Sequence, residues 1–226
     1  MKNDEFVKEI ITLIADNAAG LDPKPFKRHI RFGKGKNAFS EIRFDYFATA
    51  EGYTVGLSSE NKEIGDFFEK ESGEPFLKRV REMPEIRNCF FRQDSFCGSY
   101  YQHPFPVLTD DDSGIIDPDL GSAVFDDILK NLQTYHFQFI RDAAALSPDL
   151  LYYIRRFPSN FRHPASLALF LIEKHRLPLH DSRVQGLFEY DEMVMRGEYM
   201  LSSRYDLIFG TDKHEQVAKQ RILQRK

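Results

Sequence analysis

The chemistry most legible in this chain is charge, concentrated in two segments of opposite sign. Residues 109–127 (TDDDSGIIDPDLGSAVFDD) hold seven Asp and no Lys or Arg. Clustered carboxylates are the hard oxygen ligands that calcium and magnesium take. A calcium loop starting at Asp110 needs glycine in its sixth place and glutamate in its twelfth, where Ile115 and Gly121 stand. The spacing predicts no standard metal loop, and we assign neither metal nor cofactor. Docking is the sharper reading. Asp110, Asp111, Asp112, Asp117 and Asp119 form a candidate surface for a basic protein partner, because complementary charge speeds association and excludes wrong partners. The plain alternative is a solvated loop, with Asp126 and Asp127 favouring the first turn of a following helix.

The opposite segment spans residues 24–36. Lys24, Lys27, Arg28, Arg31, Lys34 and Lys36 put six cations within 13 residues, with no acid among them. Lys27, Arg28, Arg31, Lys34 and Lys36 are candidate anion-binding residues. With Phe26 and Phe32 interleaved, the pattern suits phosphate neutralisation combined with base stacking. The chain as a whole carries a net charge of −4 and shows no second basic sheet face. Nucleic-acid binding therefore ranks third among the functional readings.

Catalytic motifs are broken or absent. Gly33-Lys34-Gly35-Lys36-Asn37 lacks the upstream glycine of a phosphate loop, since Ile30 occupies that place. The residues after it alternate as a strand, so it reads as a hairpin turn; a dinucleotide fingerprint would open a helix there. Cys97-Gly98-Ser99-Tyr100 partly resembles the cysteine-protease signature, but Tyr100 replaces the nucleophilic second cysteine. Cys97 could still pair with His103 as thiolate and imidazolium. His175 and His180 flank Arg-Leu-Pro-Leu without any accompanying metal motif. His136 reads as a partly buried histidine beside an apolar stripe, and His163, before Pro164, as a helix cap. Glu189, Asp191 and Glu192 read as a solvent-facing helix surface. No catalytic residue is assigned. The enzymatic alternative is a hydrolase or transferase with a dispersed site, using Cys97, His103 or the acidic loop with a divalent ion.

Several elements must position these groups. Phe6, Ile10 and Ile14 repeat every four residues, predicting a helix over 4–19. The segment Leu21–Pro25 breaks the chain. Over 27–58, alternation predicts a three-stranded antiparallel meander: Ile42, Phe44 and Tyr46 face one way, while Glu41, Arg43 and Asp45 face the other. Helices are expected over Glu60–Glu71 and from Pro75, then one or two strands within 87–101. Residues 102–121, rich in Pro, Asp and Gly, read as a loop. Ser122 is expected to cap a helix whose stripe is Phe125, Ile128, Leu132, Tyr135 and Phe139. Further helices should open at Ser147-Pro148, at Pro164 and at Asp181 or Ser182. The pattern over 198–209 fits helix or strand, and the tail from Thr211 reads as helical.

The composition fits that architecture. At 226 residues, 42% hydrophobic and 29% charged, the chain has enough apolar surface to fold without disulfides or metal. Residues 1–108 contain 13 Phe and 5 Leu, whereas 109–226 contain 8 Phe and 15 Leu; Leu favours helices. The expected fold class is α+β: an N-terminal helix plus antiparallel meander with covering helices, then a mainly helical C-terminal half. The expected organisation is a sheet-containing segment 1–108, an acidic linker 109–121 and a helical segment 122–226. Acidic residues interrupt the N-terminal apolar run, so no export signal is expected, and no apolar stretch is long enough for a membrane span. Cys89 and Cys97 are too few for a disulfide framework. These features suggest a cytoplasmic, non-enzymatic protein-binding module, immunity- or adaptor-like, that uses the acidic loop against a basic partner.

Overall fold

The computed structural model describes residues 3–33, 35–47, 52–72, 89–93, 105–106, 118–189, 192–194, 201–210 and 213–225. The chain divides into two compact units, each made of two sequence segments. One comprises Met1–Ser59 with Arg92–Ala144, the other Glu60–Phe91 with Ala145–Lys226. The fold class is α+β, as the patterning predicts.

In the first unit, helix α1 (Asn3–Asn17) buries Phe6, Ile10 and Ile14 completely, on the face their spacing defines. Strands β1 (Pro23–Pro25), β2 (His29–Phe32), β3 (Ala38–Phe47) and β4 (Gly52–Asn61) follow in chain order. Within this unit the sheet runs β1-β2-β3-β4, and β6 (Phe105–Pro106) also pairs with β4; β5 (Cys89–Gln93) straddles the division between the units. The expected meander is present, with one correction. Leu21–Pro25 does not simply break the chain: Pro23–Pro25 forms the edge strand, paired antiparallel with β2 from Pro23↔Phe32 to Pro25↔Ile30. Proline can occupy an edge because its missing N–H is not needed for a further neighbour.

The core face of this sheet carries Ile30, Phe32, Ile42, Phe44, Val55 and Leu57, each essentially inaccessible. Phe32 meets Phe137 edge-on at 6.5 Å, and Phe6 stacks on Phe125 at 5.2 Å. The polar pair Ser40 and Ser59, also buried, satisfies itself through an Oγ···Oγ hydrogen bond of 2.7 Å. Gly33, at φ +117°, begins the β2–β3 turn; a Cβ there would sit 3.1 Å from the Ala38 carbonyl oxygen. The glycine-rich segment is thus followed by a strand.

Helix α3 begins at Pro118 and runs to Asn131. Its start lies within the expected loop, and Ser122 falls inside the helix. A π-helical turn, Leu132–His136, then leads into α4 (Phe137–Ala145). Phe137 N–H reaches back five residues to the Leu132 carbonyl. Side chains compete for neighbouring carbonyls here: Asn131 Nδ2 donates to Asp127 O at 2.8 Å and Thr134 Oγ1 to Lys130 O at 2.6 Å. The extra residue in the turn rotates the stripe. Tyr135 is 44% exposed while His136 is buried.

The second unit is built around α6 (Pro164–His175), which buries every residue from Pro164 to Ile172. Packed on it are α2 (Lys62–Ser72), α5 (Leu150–Arg156), α8 (Arg204–Phe209) and α9 (Lys213–Leu223). A helix apolar on all sides belongs at such a centre. Asn61 caps α2, its Oδ1 accepting from Glu63 N–H at 2.8 Å. Asp181 caps α7 (Ser182–Leu187), accepting from Arg183 N–H at 2.9 Å. The 198–209 pattern resolves into both alternatives, strand β8 (Leu201–Ser203) and then helix α8. β8 pairs with β7 (Glu192–Val194), which places Glu192 in a strand; the expected helical surface does not extend to it. No helix among the described residues is long and apolar enough to cross a membrane.

Candidate hairpin binding site

The basic segment forms the β1–β2 hairpin and the start of the β2–β3 connection. Phe26 N–H donates to His29 O at 2.8 Å, closing a tight turn with Lys27 and Arg28 at its centre. Both side chains are exposed, as are Lys24 and Lys36. Phe26 is exposed as well, at 48%. Its ring lies nearly parallel to the His29 imidazole, at 4.4 Å and 14°. The Arg31 guanidinium stands 5.7 Å from the Phe26 centroid and 4.5 Å from that of Phe39.

Below this tip, the register places His29 opposite Arg43 and Arg31 opposite Glu41. Side chains alternate across a strand, so these four share the sheet face away from Ile30 and Ile42. Glu41 is buried, and its two oxygens are divided between neighbours. Oε2 accepts from Arg31 Nε at 2.6 Å, and Oε1 accepts from Arg43 Nη2 at 2.8 Å and Nε at 3.2 Å. His29 Nε2 lies 3.8 Å from Oε2. Burial alone would raise the Glu41 pKa; hydrogen bonds from Arg31 and Arg43 and the nearby positive charge outweigh it, and the net shift is downward. Burial depresses the His29 pKa, with the two arginines adding to that and Glu41 opposing it. Two cations and an anion in this arrangement lock the sheet face. The outward positive charge of the hairpin sits on Lys24, Lys27 and Arg28.

Of the candidate anion-binding residues, the structure brings Lys27, Arg28 and Arg31 to one hairpin, with Arg31 held by Glu41. Lys36 is exposed in the following turn, and Lys34 lies outside the described residues. Asp110, Asp111, Asp112 and Asp117 also lie outside them. Asp119 falls in the first turn of α3, its side chain outside the described set. Cys97, His103 and the helix expected from Pro75 lie outside it too. Among the described residues, no group of three or more His, Cys, Asp or Glu side chains is placed to hold a metal ion.

His136, His163 and His175 have structural partners. His136 Nδ1 is 3.1 Å from Asn131 O, and His175 Nε2 is 2.7 Å from Leu146 O. His163 precedes α6, but the cap comes from a distant residue. Glu215 Oε2 accepts from Ala165 N–H at 2.8 Å and Ser166 N–H at 3.1 Å, while Oε1 lies 3.3 Å from His163 Nδ1. Alternation places Glu41 on an outward face, without indicating that two arginines bury it. Nothing in the local sequence joins Glu215 to Ala165, 50 residues away. The Phe26–His29 stack does carry a signal: two rings at the ends of a two-residue turn.

Compared with protein-family models, with curated proteins and with solved structures, the chain matches none of them.

Proposed function

We propose that this protein is a non-enzymatic binding module that captures an anionic macromolecular partner on the β1–β2 hairpin. The observation that carries the reading is the tip itself, where Lys24, Phe26, Lys27 and Arg28 are all exposed on one short turn. Long-range attraction to such a patch raises association rates and weakens with salt. Pro23 and Pro25 leave the edge strand poor in N–H donors, which favours recognition by side chains over addition of a partner strand. The test is binding of two polyanions, heparin and polyglutamate, at low and high salt. Binding should fall when Lys27 and Arg28 are both changed to Glu. Equal association rates for the wild type and this variant would overturn the reading.

A second reading is favoured by the seven-Asp run without a cation at 109–127. In it, Asp110, Asp111, Asp112, Asp117 and Asp119 face a basic protein partner, as in an immunity or adaptor protein. Asp→Asn changes at these positions should slow association with a basic probe such as polylysine; an unchanged rate removes it. An enzyme using the acidic segment with a divalent ion is distinguished by calcium or magnesium titration, because metal binding to the native state raises the melting midpoint. We place the protein in the cytoplasm on its low cysteine content.

A further inference from the structure

We infer that the β1–β2 hairpin is a stacking platform for single-stranded nucleic acid, with Phe26 as the stacking ring and Lys24, Lys27 and Arg28 as the phosphate contacts. This inference rests on the reading of the hairpin as an anion-capturing surface and names the class of anion.

Electrostatics alone would need only the cations. The additional feature is an open aromatic ring in their midst. Among the phenylalanines whose side chains are described, Phe26 is the one with about half its surface in water. Although it stacks on His29, the ring keeps that half open to a ligand that offers a flat apolar face. Unpaired bases offer such faces, and each base that stacks on an aromatic side chain adds affinity with little sequence preference. A duplex keeps its bases stacked on one another and presents mainly phosphates. An acidic peptide would satisfy the cations and leave the ring unused.

The ring is also pre-positioned. His29 lies parallel to it at 4.4 Å, and Arg31 stands 5.7 Å from its centroid. Arg31 is in turn fixed by Glu41 at 2.6 Å. Phe26 therefore sits on a support anchored to β3, which reduces the ordering cost that binding would otherwise meet. Burial favours the neutral form of His29, so its contribution beneath Phe26 is a flat ring more than a charge. The phosphates fall to the lysines and arginine around the turn.

The experiment is fluorescence anisotropy with a labelled oligothymidylate of about 20 nucleotides, a duplex of the same length and labelled polyglutamate, at low salt and across a salt series. The single strand should bind more tightly than the duplex. Phe26→Ala should weaken single-strand binding by roughly 5- to 150-fold and leave duplex binding unchanged, while Phe26→Tyr should retain most of the affinity. Changing Lys27 and Arg28 together to Ala should reduce the single-strand salt slope by about 1.4, at about 0.7 per phosphate contact. Equal binding of single strand and duplex, or an unchanged affinity in a folded Phe26→Ala variant, would overturn the stacking platform. Binding of polyglutamate alone would overturn it too, leaving the anionic-partner reading intact. Failure of all three probes at low salt would remove both.

Discussion

Glu41 Oε2 lies 2.6 Å from Arg31 Nε, directly across the β2–β3 pairing, with the carboxylate buried and the guanidinium partly open to water. This pair joins the interior of the sheet face to the hairpin above it. The acid is tolerable there because Arg31 and Arg43 both donate to it. Glu41→Gln should cost about 1–2 kcal/mol, since the arginines keep part of their hydration. It should also weaken partner binding at the tip by loosening Arg31 beneath Phe26. Chemical denaturation of the variant, paired with the binding assay, measures both.

Acid should destabilise the protein in two stages. The His29 pKa is lowered from the ordinary 6.5, so the unfolded chain takes up that proton first and stability begins to fall as pH drops below about that value. Glu41 is lowered from 4.5, so its contribution is complete above that pH and is lost as pH falls through its lower folded value. Melting midpoints measured against pH should fall in both windows. His29→Phe should remove the upper contribution while retaining an aromatic ring beside Phe26, and an unaltered upper window in that variant contradicts the assignment.

Glu215 closes the N-terminus of α6 from the far end of the sequence. Glu215→Ala leaves the Ala165 and Ser166 N–H groups without that acceptor and should cost about 1–3 kcal/mol. Glu215→Gln keeps an acceptor but loses the charge that favours a helix N-terminus, so its cost should be smaller, about 0.3–1 kcal/mol. Equal losses for the two variants, measured by denaturant melts, would separate Glu215 from this role.

Across the π-helical turn Leu132–His136, Tyr135 faces water while Leu132 and His136 are buried. Tyr135→Ala should therefore change stability by less than about 0.5 kcal/mol, as exposed substitutions do. Leu132→Ala, three residues earlier and fully buried, should cost about 2–5 kcal/mol. A large loss at Tyr135 in thermal or denaturant melts would contradict its exposed placement.

The same contrast separates what is readable along the chain from what is not. Alternation at Ile42 and Phe44, four-residue spacing at Phe6, Ile10 and Ile14, and the all-apolar run from Pro164 each identify an element and its buried face. These are short-range periodicities, set by the 2.0 and 3.6 repeats of strand and helix. The position of the π turn is not legible, because a side chain competing for a carbonyl shifts the register without altering composition. Nor is β1, since two prolines in three residues argue for a break until an edge is available to accept them.

Composition and periodicity alone establish the α+β class, the faces of α1, β3 and α6, and the concentration of positive charge at 24–36. Which of those charges serve the fold and which face outward is a matter for the packed chain. Arg31 lies three residues from Arg28 and carries the same charge, yet strand register turns it onto Glu41 while a two-residue turn places Lys27 and Arg28 at the hairpin tip. Cross-strand register and the joining of Glu215 to Ala165 depend on contacts between residues distant along the chain, which local periodicity does not encode.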